Sequence, residues 1–396
     1  MFTKEMKAAL DTGFLKAFGT NPERYFSAPG RTEIGGNHQD HQLGCVLAAA
    51  VNLDTRAAVR VNGTSLVRIL SQGYQMVCVD LDDLAVKEAD FNTTVSLVRG
   101  VAARFMELGC TVEGFDAYME SSVLPGSGLS SSAAFEVLVG TIINGLFNGG
   151  LDPVQIAIIG QYAENVYFGK PCGLMDQMAS SVGGMVAIDF QDPKDPVVEP
   201  IHFDFASCGH ALCIIDTRAS HADLTDEYAA ITRDMGAVSR FFGKTALRQV
   251  SEEEFYAAIP ALRKETGDRA VLRGLHFFEE YKRCLAQVQA LKEGDFDRFL
   301  KLITESGHSS FMYLQNVTPA GYVKNQDVAM SLALCEKLLG GKGAYRVHGG
   351  GFAGTVQAFV PAEILGQFKD GIEAVFGAGT CHVLSIRKEG GVEYTG

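Results

Sequence analysis

The stretch of this chain that could best support chemistry is a loop rich in glycine and serine at residues 124–136, which reads LPGSGLSSSAAFE. Pro125, Gly126 and Gly128 predict a loop whose backbone can approach a ligand closely. The serines open an apolar run, which predicts that a helix begins there. Free N–H groups and the positive end of a helix dipole together attract an anion. The stretch therefore predicts a phosphate site and, with it, a nucleotide-dependent enzyme.

A second stretch, PGRTEIGGNHQDH at residues 29–41, combines glycines with several kinds of polar side chain. The guanidinium of Arg31 suits phosphate because its planar fork presents several donors. Asn, His, Gln and Asp supply the mixed donors and acceptors that the hydroxyls of a sugar require. Two other interpretations stay open at this point: a polar surface loop, and a metal site with His38, Asp40 and His41 as ligands.

A third stretch contains two carboxylates that could take part in a reaction. Asp176 follows a tight Cys-Gly turn and stands among Leu174, Met175 and Met178. A carboxylate in apolar surroundings must be paired, or its pKa is raised and it has a chemical task. The other interpretation of Asp176 is a helix cap. Glu164 lies near the end of a predicted helix that could point it at the glycine–serine loop.

A fourth stretch, RVHGGGFAG at residues 346–354, contains the pattern GxGxxG. In a dinucleotide-binding site this pattern opens a helix, whereas residues 355–360, which follow it here, predict a strand. Three adjacent glycines between two strands indicate instead that the backbone approaches another group closely. The chain also lacks the pattern GxxxxGK[ST], so the predicted phosphate site is not a Walker loop.

The elements that must position these residues are a mixture of strands and helices. Strand patterns dominate the first half, where Asn62-Gly63 predicts a hairpin between two of them. Long amphipathic helices dominate the second half. Residues 191–200 contain three prolines, which indicates a domain boundary or a long hairpin turn. We therefore expect two α+β domains, residues 1–195 and 196–396, with the chemistry near their junction.

The composition limits the class of protein. The net charge of −13 argues against general binding of nucleic acid or of anionic membranes, which needs basic surfaces. No apolar run reaches the roughly 18 residues of a membrane span, and the N-terminus lacks the apolar core of a signal peptide. The nine cysteines are scattered without a CxxC pair, which predicts reduced, buried thiols in a cytoplasmic protein.

Taken together, the four stretches resemble the GHMP small-molecule kinases and, within them, the galactokinase family. That family has an N-terminal PGR loop that ends in HxD, a PxGxGLSSSA phosphate loop and a C-terminal GGGFGG loop. Similar motifs occur here in the same order at residues 29–40, 124–133 and 349–354. The segment FGKPCGLMDQ at 168–177 also resembles the galactokinase segment that carries the catalytic Asp.

The resemblance implies a two-domain α+β GHMP kinase fold, with a ribosomal-S5-like first domain, a ferredoxin-like second domain and the site between them. It also implies that ATP phosphorylates the anomeric hydroxyl of galactose. Arg31 would stabilise charge on the transferred phosphoryl group, Asp176 would orient or deprotonate the sugar hydroxyl, and Ser132 and Glu164 would hold Mg²⁺. The implied ATP-binding residues are Pro125, Gly126, Ser127, Gly128, Leu129, Ser130, Ser131 and Ser132. The implied sugar contacts are Asn37, His38, Asp40, Gly173 and Tyr228, and the third-motif glycines Gly349, Gly350 and Gly351 would lie near the site.

The first motif departs from the usual family pattern GRVNLIGEHTDY and reads GRTEIGGNHQDH. Asn37 stands where the family has a sugar-contacting Glu, and Glu33, Gln39 and His41 stand in place of Asn, Thr and Tyr. Buried polar mismatches discriminate strongly between substrates. Because an amide at 37 would tolerate a carboxylate on the sugar better than Glu would, galacturonate stays a candidate substrate beside galactose.

A second hypothesis belongs to a different class of protein. Some galactokinase-like proteins are non-catalytic sensors, which bind galactose and ATP and regulate a protein partner. Such proteins lack part of the SSSA run, whereas this run is complete here at residues 130–133. Arg31, Glu164 and Asp176 are also present, so an active kinase is the better supported of the two hypotheses.

Overall fold

The structure is a computed structural model that describes residues 2–123, 128–170, 172–219 and 224–394. Its strands, in chain order, are β1 (Arg24–Gly35), β2 (Cys45–Val61), β3 (Leu66–Ser71), β4 (Val77–Asp80), β5 (Phe115–Ser121), β6 (Met185–Asp189), β7 (Val197–Ile201), β8 (His210–Asp216), β9 (Ala344–His348), β10 (Thr355–Pro361), β11 (Cys381–Leu384) and β12 (Val392–Tyr394). Its helices are α1 (Lys4–Phe18), α2 (Thr94–Glu107), α3 (Ser131–Leu146), α4 (Pro153–Tyr162), α5 (Met175–Val182), α6 (Thr225–Phe241), α7 (Glu252–Glu265), α8 (Asp268–Glu293), α9 (Phe296–Ser309), α10 (Asp327–Leu339) and α11 (Leu365–Phe376).

The strands form two sheets, and the first is built around the long strand β2. Its order is β12-β1-β2-β5-β3-β4, while β6 pairs with the first half of β2 and β7 pairs with β6. The second sheet has the order β11-β8-β10-β9 and is antiparallel. One buried cluster includes Leu47 of β2, Leu212 of β8, Cys284 of α8 and Phe299 of α9. The two sheets therefore share a core.

The predicted hairpin at Asn62-Gly63 is wrong, because β5 lies between β2 and β3. Asp116 of β5 supplies the reason. Its carboxylate accepts from Nδ2 of Asn62 at 2.8 Å and from Nε and Nη2 of Arg68 at 2.7 Å each. Arg68 of β3 and Asn62, directly after the end of β2, thus both contact the central strand β5, a pairing that local turn chemistry does not reveal.

Strand β1 runs through residues that we expected to form a loop. Residues 29–35 continue the strand as far as Gly35, and all of them are buried. The register with β2 shifts between Pro29 and Arg31, an irregularity that accommodates a proline on an inner strand. The surface-loop interpretation of this stretch is therefore wrong.

Residues 190–196 connect strands β6 and β7 as a long hairpin turn and 197–200 lie in β7, which confirms one of the two interpretations of the prolines in 191–200. Strands β6 and β7 pair antiparallel from Met185↔Ile201 to Asp189↔Val197. Both belong to the first sheet, as does β12 near the end of the chain. The first sheet therefore takes strands from both sides of residue 195, and the division into residues 1–195 and 196–396 stays a prediction.

All nine cysteines are free thiols. Cys213 and Cys335 are buried as expected, whereas Cys78 is exposed. None of the helices within the described ranges combines the length and apolar character needed to cross a bilayer.

Candidate active site

Gly128 brings the end of the phosphate loop against the second sheet. Its φ is +69°, and a Cβ there would lie 2.4 Å from Oγ1 of Thr355 and 3.0 Å from Nδ1 of His348. Only glycine satisfies both the backbone conformation and the close approach. The carbonyl of the buried Leu129 accepts from the backbone N–H of Arg31 at 3.0 Å. Gly128 and Leu129, at the end of the loop, thus lie between β1 and the second sheet. The predicted ATP-binding residues Pro125, Gly126 and Ser127 lie outside the described residues.

Ser130 leaves the start of helix α3 available to an anion. It is the N-cap residue, has left-handed backbone angles (φ 56°, ψ 66°) and makes no side-chain cap. Its hydroxyl donates instead to Oδ2 of Asp176 at 2.6 Å. A capping serine normally accepts from an N–H group of the first turn. The hydroxyl of Ser130 does not occupy these N–H groups, which is compatible with an anion at the helix start. The anion site itself stays a prediction.

Arg31 and Asp176 form the charged centre of the site. Nε of Arg31 donates to Oδ1 of Asp176 and Nη2 donates to Oδ2, both at 2.7 Å, which makes a bidentate pair. Nη1 donates to the carbonyl of Gly128. The side chain of Asp176 is 30% exposed, against 8% for Arg31, so the carboxylate keeps an accessible edge. Asp176 lies in the first turn of α5, whose N-cap residue is Leu174, so the helix-cap interpretation is wrong.

The pair keeps both groups charged. Burial raises the pKa of Asp176, but the charge and hydrogen bonds of Arg31 and the hydroxyl of Ser130 outweigh burial, so this pKa lies below its ordinary value. Burial lowers the pKa of Arg31, but the neighbouring carboxylates, Asp176 first among them, raise it above its ordinary value overall. At neutral pH Asp176 is therefore an ionised hydrogen-bond acceptor and a weak base.

Gly173 and Asp40, two predicted sugar contacts, lie against each other. A Cβ at position 173 would lie 1.7 Å from Oδ2 of Asp40, so a larger residue would displace the carboxylate. Burial and the nearby charge of Asp176 raise the pKa of Asp40 to about 6. The structure therefore brings these two residues together within electrostatic reach of Asp176.

His38 links the first motif to the third. Its Nε2 lies 3.1 Å from the carbonyl of Gly350 and its Nδ1 lies 3.3 Å from Nε2 of His41. Burial lowers the pKa of His38 to about 3 and that of His41 to about 4, so both rings are neutral. A neutral His38 that donates to Gly350 through Nε2 must accept from His41 through Nδ1. The metal interpretation of His38, Asp40 and His41 is wrong, since no three His, Cys, Asp or Glu side chains of the described residues are arranged to hold an ion.

Asn37 is fully buried, and protein groups occupy its side-chain amide. Nδ2 donates to Oε1 of Glu33 at 3.0 Å and to the carbonyl of Gly349 at 2.7 Å. Oδ1 accepts from Oγ of Ser310 at 3.3 Å and from Nδ2 of Asn316 at 3.0 Å. With 0% exposure, Asn37 has no surface for a sugar. The geometry does not support the predicted sugar contact; Asn37 instead ties the first motif to the third.

The carboxylate of the first motif lies at position 33 rather than at 37. The family pattern has Asn at the former position and Glu at the latter, so this chain exchanges the two residue types. Glu33 is 3% exposed and pairs with the guanidinium of the fully buried Arg346. The exchange therefore places the charged acceptor beside the guanidinium of Arg346, which balances its charge.

The carbonyl groups of the three glycines in the third motif all accept hydrogen bonds from side chains elsewhere in the chain. Gly349 and Gly350 accept from the first motif as described, and the carbonyl of Gly351 accepts from the hydroxyl of Tyr228 at 3.0 Å. A Cβ at position 350 would lie 2.7 Å from Cε1 of Tyr228, and one at 351 would lie 2.1 Å from the carbonyl of Asn316. Strand β10 follows the motif at Thr355, which confirms that GxGxxG does not open a helix here. Tyr228, predicted to contact the sugar, supports this loop.

Glu164 has two buried neighbours that the sequence analysis missed, Gln177 and Glu136. Nε2 of Gln177 donates to Oε2 of Glu164 and to Oε2 of Glu136, both at 2.9 Å. Nζ of Lys170 lies 3.6 Å from Oε1 of Glu164. Burial raises the pKa of both Glu136 and Glu164. Glu136 follows Ser132 by four residues and so lies on the same side of α3, a spacing that could have predicted its proximity to the site.

Comparisons with known proteins agree with this geometry. The family model described as the GHMP kinases N terminal domain matches residues 96–184, which contain the phosphate loop and Asp176. The model described as the galactokinase galactose-binding signature matches residues 12–61, which contain the first motif. Each model therefore covers one of the two stretches that meet at the Arg31–Asp176 pair.

Whole-chain comparisons extend this agreement to nearly the full length. The structure is similar to that of Lactococcus lactis galactokinase complexed with galactose, with a TM-score of 0.85, 23% identity and coverage of 98% of this chain and 100% of the other. It is also similar to Methanococcus jannaschii mevalonate kinase, with a TM-score of 0.64, 14% identity and coverage of 91% and 98%. A galactokinase from Streptomyces coelicolor is 31% identical over 370 residues, which are 92% of each chain. The chain belongs to the galactokinase family of GHMP kinases.

Proposed function

We propose that this protein transfers the γ-phosphoryl group of ATP to the anomeric hydroxyl of galactose. The observation that carries the proposal is the bidentate Arg31–Asp176 pair, which joins strand β1 of the first motif to helix α5, while Arg31 also donates to the carbonyl of Gly128 at the end of the phosphate loop. Galactose is the sugar bound in the Lactococcus lactis enzyme, whose fold this chain shares. The sensor hypothesis has no comparable support, since the relatives found are kinases.

The residues have separate roles in the proposed reaction. The anomeric oxygen attacks the γ-phosphorus while the bond from that phosphorus to the β,γ-bridging oxygen breaks, so that ADP leaves. The open first turn of α3 binds phosphate oxygens through its N–H groups. Asp176 accepts the hydrogen bond of the sugar hydroxyl and so orients the oxygen for attack. Arg31 balances the negative charge of Asp176 and of the transferred group.

The low pKa of Asp176 suits a loose transition state. In such a state the hydroxyl keeps its proton until late in the transfer, because bond breaking runs ahead of bond formation. A weakly basic carboxylate that stays ionised is then sufficient, and the proton passes to it or to solvent as the new bond completes. His38, Asp40 and Gly173 lie on the sugar side of this pair in our proposal, and Tyr228 supports the glycine loop beside it.

The chain also offers oxygen donors that fit Mg²⁺. Magnesium sites in kinases use one or two carboxylates together with substrate phosphates. Ser132 is exposed in the first turn of α3, and the buried Oε1 of Glu136, one turn further on, has no hydrogen-bond partner among the described residues. We propose that Ser132 and Glu164 hold the ion, as the family resemblance implies; Glu136 lies near Glu164, since both accept from Gln177. When bound, Mg²⁺ would neutralise charge on the phosphates.

The cysteines and the net charge support a proposal for the cellular location and the partners of the protein. Free cysteines are typical of a reducing compartment, so we propose a cytoplasmic location. Partners in this proposal are the sugar and ATP, since a net charge of −13 disfavours nucleic acid.

A coupled assay of ADP release across a panel of sugars tests the function. The panel contains galactose, glucose, 2-deoxygalactose and galacturonate, and ³¹P NMR of the product locates the phosphate. We expect the highest kcat/KM with galactose and a phosphate on the anomeric oxygen. A preference for galacturonate would overturn galactose as the proposed substrate. Sugar binding without ADP release from any sugar would overturn the kinase proposal.

A further inference from the structure

Three buried polar side chains meet behind the start of helix α3. Helix α3 carries Glu136, α5 carries Gln177, and the π-helical turn Ala163–Phe168 after α4 carries Glu164. The exposed fractions of Glu136, Gln177 and Glu164 are 1%, 0% and 4%. Both carboxylates accept from the same amide nitrogen at 2.9 Å, so the two bonded carboxylate oxygens lie within twice that distance of each other.

This arrangement leaves the carboxylates short of positive charge. One amide group is the shared donor for both, and Oε1 of Glu136 and Oε1 of Gln177 have no partner among the described residues. The cation near Glu164, Lys170, lies at 3.6 Å and its side chain is 63% exposed. Buried charges without a partner are expensive. A bound cation would therefore stabilise the ionised form of these carboxylates.

The position of Gln177 connects this cluster with the charged centre. It follows Asp176 directly on α5, so one short helix carries the carboxylate that faces Arg31 and the amide that holds Glu164. Glu136 lies one turn beyond Ser132, on the same side of α3. Displacing Gln177 would thus move Glu164 relative to the helix that binds the phosphates.

We propose that Gln177 is a positioning residue that aligns Glu136 with Glu164, so that two carboxylates rather than one take up the divalent cation that accompanies ATP. The inference rests on the proposed function, since it assumes that a metal–nucleotide complex binds here. Two carboxylates are too few ligands to hold the ion alone, and nucleotide phosphates complete such sites.

The test measures metal binding without any sugar. Mn²⁺ is titrated into the protein saturated with a non-hydrolysable ATP analogue, and free Mn²⁺ is followed by electron paramagnetic resonance. The variants are Gln177→Met, which keeps the length of the side chain but removes the donor, and Glu136→Gln, which keeps its shape. The matched control is Gln161→Met, because Nε2 of Gln161 donates to the carbonyl of Cys172 at 3.2 Å and not to a carboxylate.

We expect the apparent dissociation constant for Mn²⁺ to rise about tenfold or more in both variants, as is usual when a supporting ligand is removed, and to stay unchanged in the control. The metal concentration for half-maximal ADP release should rise by the same factor, while the KM for sugar stays constant. Glu136→Gln should also unfold at a higher urea concentration than the wild type, because it replaces a buried carboxyl group, whose ionisation burial opposes, with a neutral amide. A merely structural role would not combine higher stability with weaker metal binding.

The outcomes separate this inference from the proposed function. Wild-type affinity for Mn²⁺ in Glu136→Gln would overturn the role of Glu136 as a second carboxylate, even if Gln177→Met fails to fold. Wild-type affinity in a folded Gln177→Met would overturn the positioning role. A wild-type protein that binds Mn²⁺ and nucleotide but phosphorylates no sugar would refute the proposed function alone. A wild-type protein that binds no Mn²⁺ with the nucleotide would refute both.

Discussion

A double-mutant cycle on Arg31 and Asp176 tests whether the charged centre exists in solution. The variants are Arg31→Gln, Asp176→Asn and the two together. Both hydrogen bonds of the pair are 2.7 Å long and the arginine side chain is 8% exposed. Removing one partner of a buried pair costs about 3–5 kcal/mol, because the other charge is left unpaired. The carboxylate side chain is 30% exposed and water screens part of that cost, so we expect each single variant to lose about 2–3 kcal/mol of unfolding free energy.

The double variant leaves no unpaired charge at this site. We therefore expect it to lose clearly less than the sum of the two single variants, with a coupling energy of about 2 kcal/mol. Urea unfolding followed by circular dichroism measures all four proteins. Free energies that add within about 0.5 kcal/mol would refute the pair, since residues without contact are additive to that degree.

The pH dependence of the same cycle has a defined sign. The folded pKa of Asp176 lies below its ordinary value, so the stability that it contributes is present above the ordinary pKa and is lost as the pH falls through the folded pKa. We expect the difference between Asp40→Asn and Asp40→Asn/Asp176→Asn to stay constant from about pH 5 to 8 and to shrink only in stronger acid. The Asp40→Asn background removes a second group that titrates in this range.

Activity gives the second readout of the cycle. Both residues act on the same phosphoryl transfer, so we expect each single variant to lose about 100-fold or more in kcat. The double variant should lose little beyond the worse single variant, because groups that act as a unit are not additive. Near-normal turnover of folded Asp176→Asn would show that its role is misassigned.

Three further predictions concern the sugar side of the site. Burial and a neighbouring carboxylate raise the pKa of Asp40 to about 6, so kcat/KM plotted against pH should bend near pH 6, and Asp40→Asn should abolish that bend. Gly173→Ala should raise the KM for sugar, because its Cβ would lie 1.7 Å from Oδ2 of Asp40. We expect a rise of at least about tenfold, which corresponds to a loss of roughly 1.4 kcal/mol of binding free energy. The control Gly366→Ala has no atom within 4 Å of its Cβ and should match the wild type. Asn37→Glu should destabilise the protein by about 3 kcal/mol in urea unfolding, because it buries a second carboxylate beside Glu33. The double variant Glu33→Asn/Asn37→Glu should recover part of that loss. Equal stability of the two variants would contradict the contact between residues 33 and 37.

Much of the site was predictable from local sequence. The run of glycines and serines at 124–136, followed at once by an apolar helical pattern, predicts a helix N-terminus that binds an anion, and α3 begins within it at Ser131. The strand after GxGxxG was predictable for the same reason, since alternation and branched residues report local conformation. Arg31 and Asp176 were singled out by residue type and local surroundings, but their separate roles came from the whole-chain resemblance.

What only the tertiary structure decided is the partner of each polar group. Asn37 looked like a sugar contact, but the carbonyl of Gly349, more than three hundred residues away in the chain, occupies its amide. Ser130 was predicted only as part of the serine run that opens a helix, but its hydroxyl donates to Asp176 of another helix. Gln177 carried no signal of its own, because its role depends on two carboxylates from other helices. Side-chain hydrogen bonds of this kind form between distant segments, so the pattern of one segment reports its conformation but not the groups that fold against it.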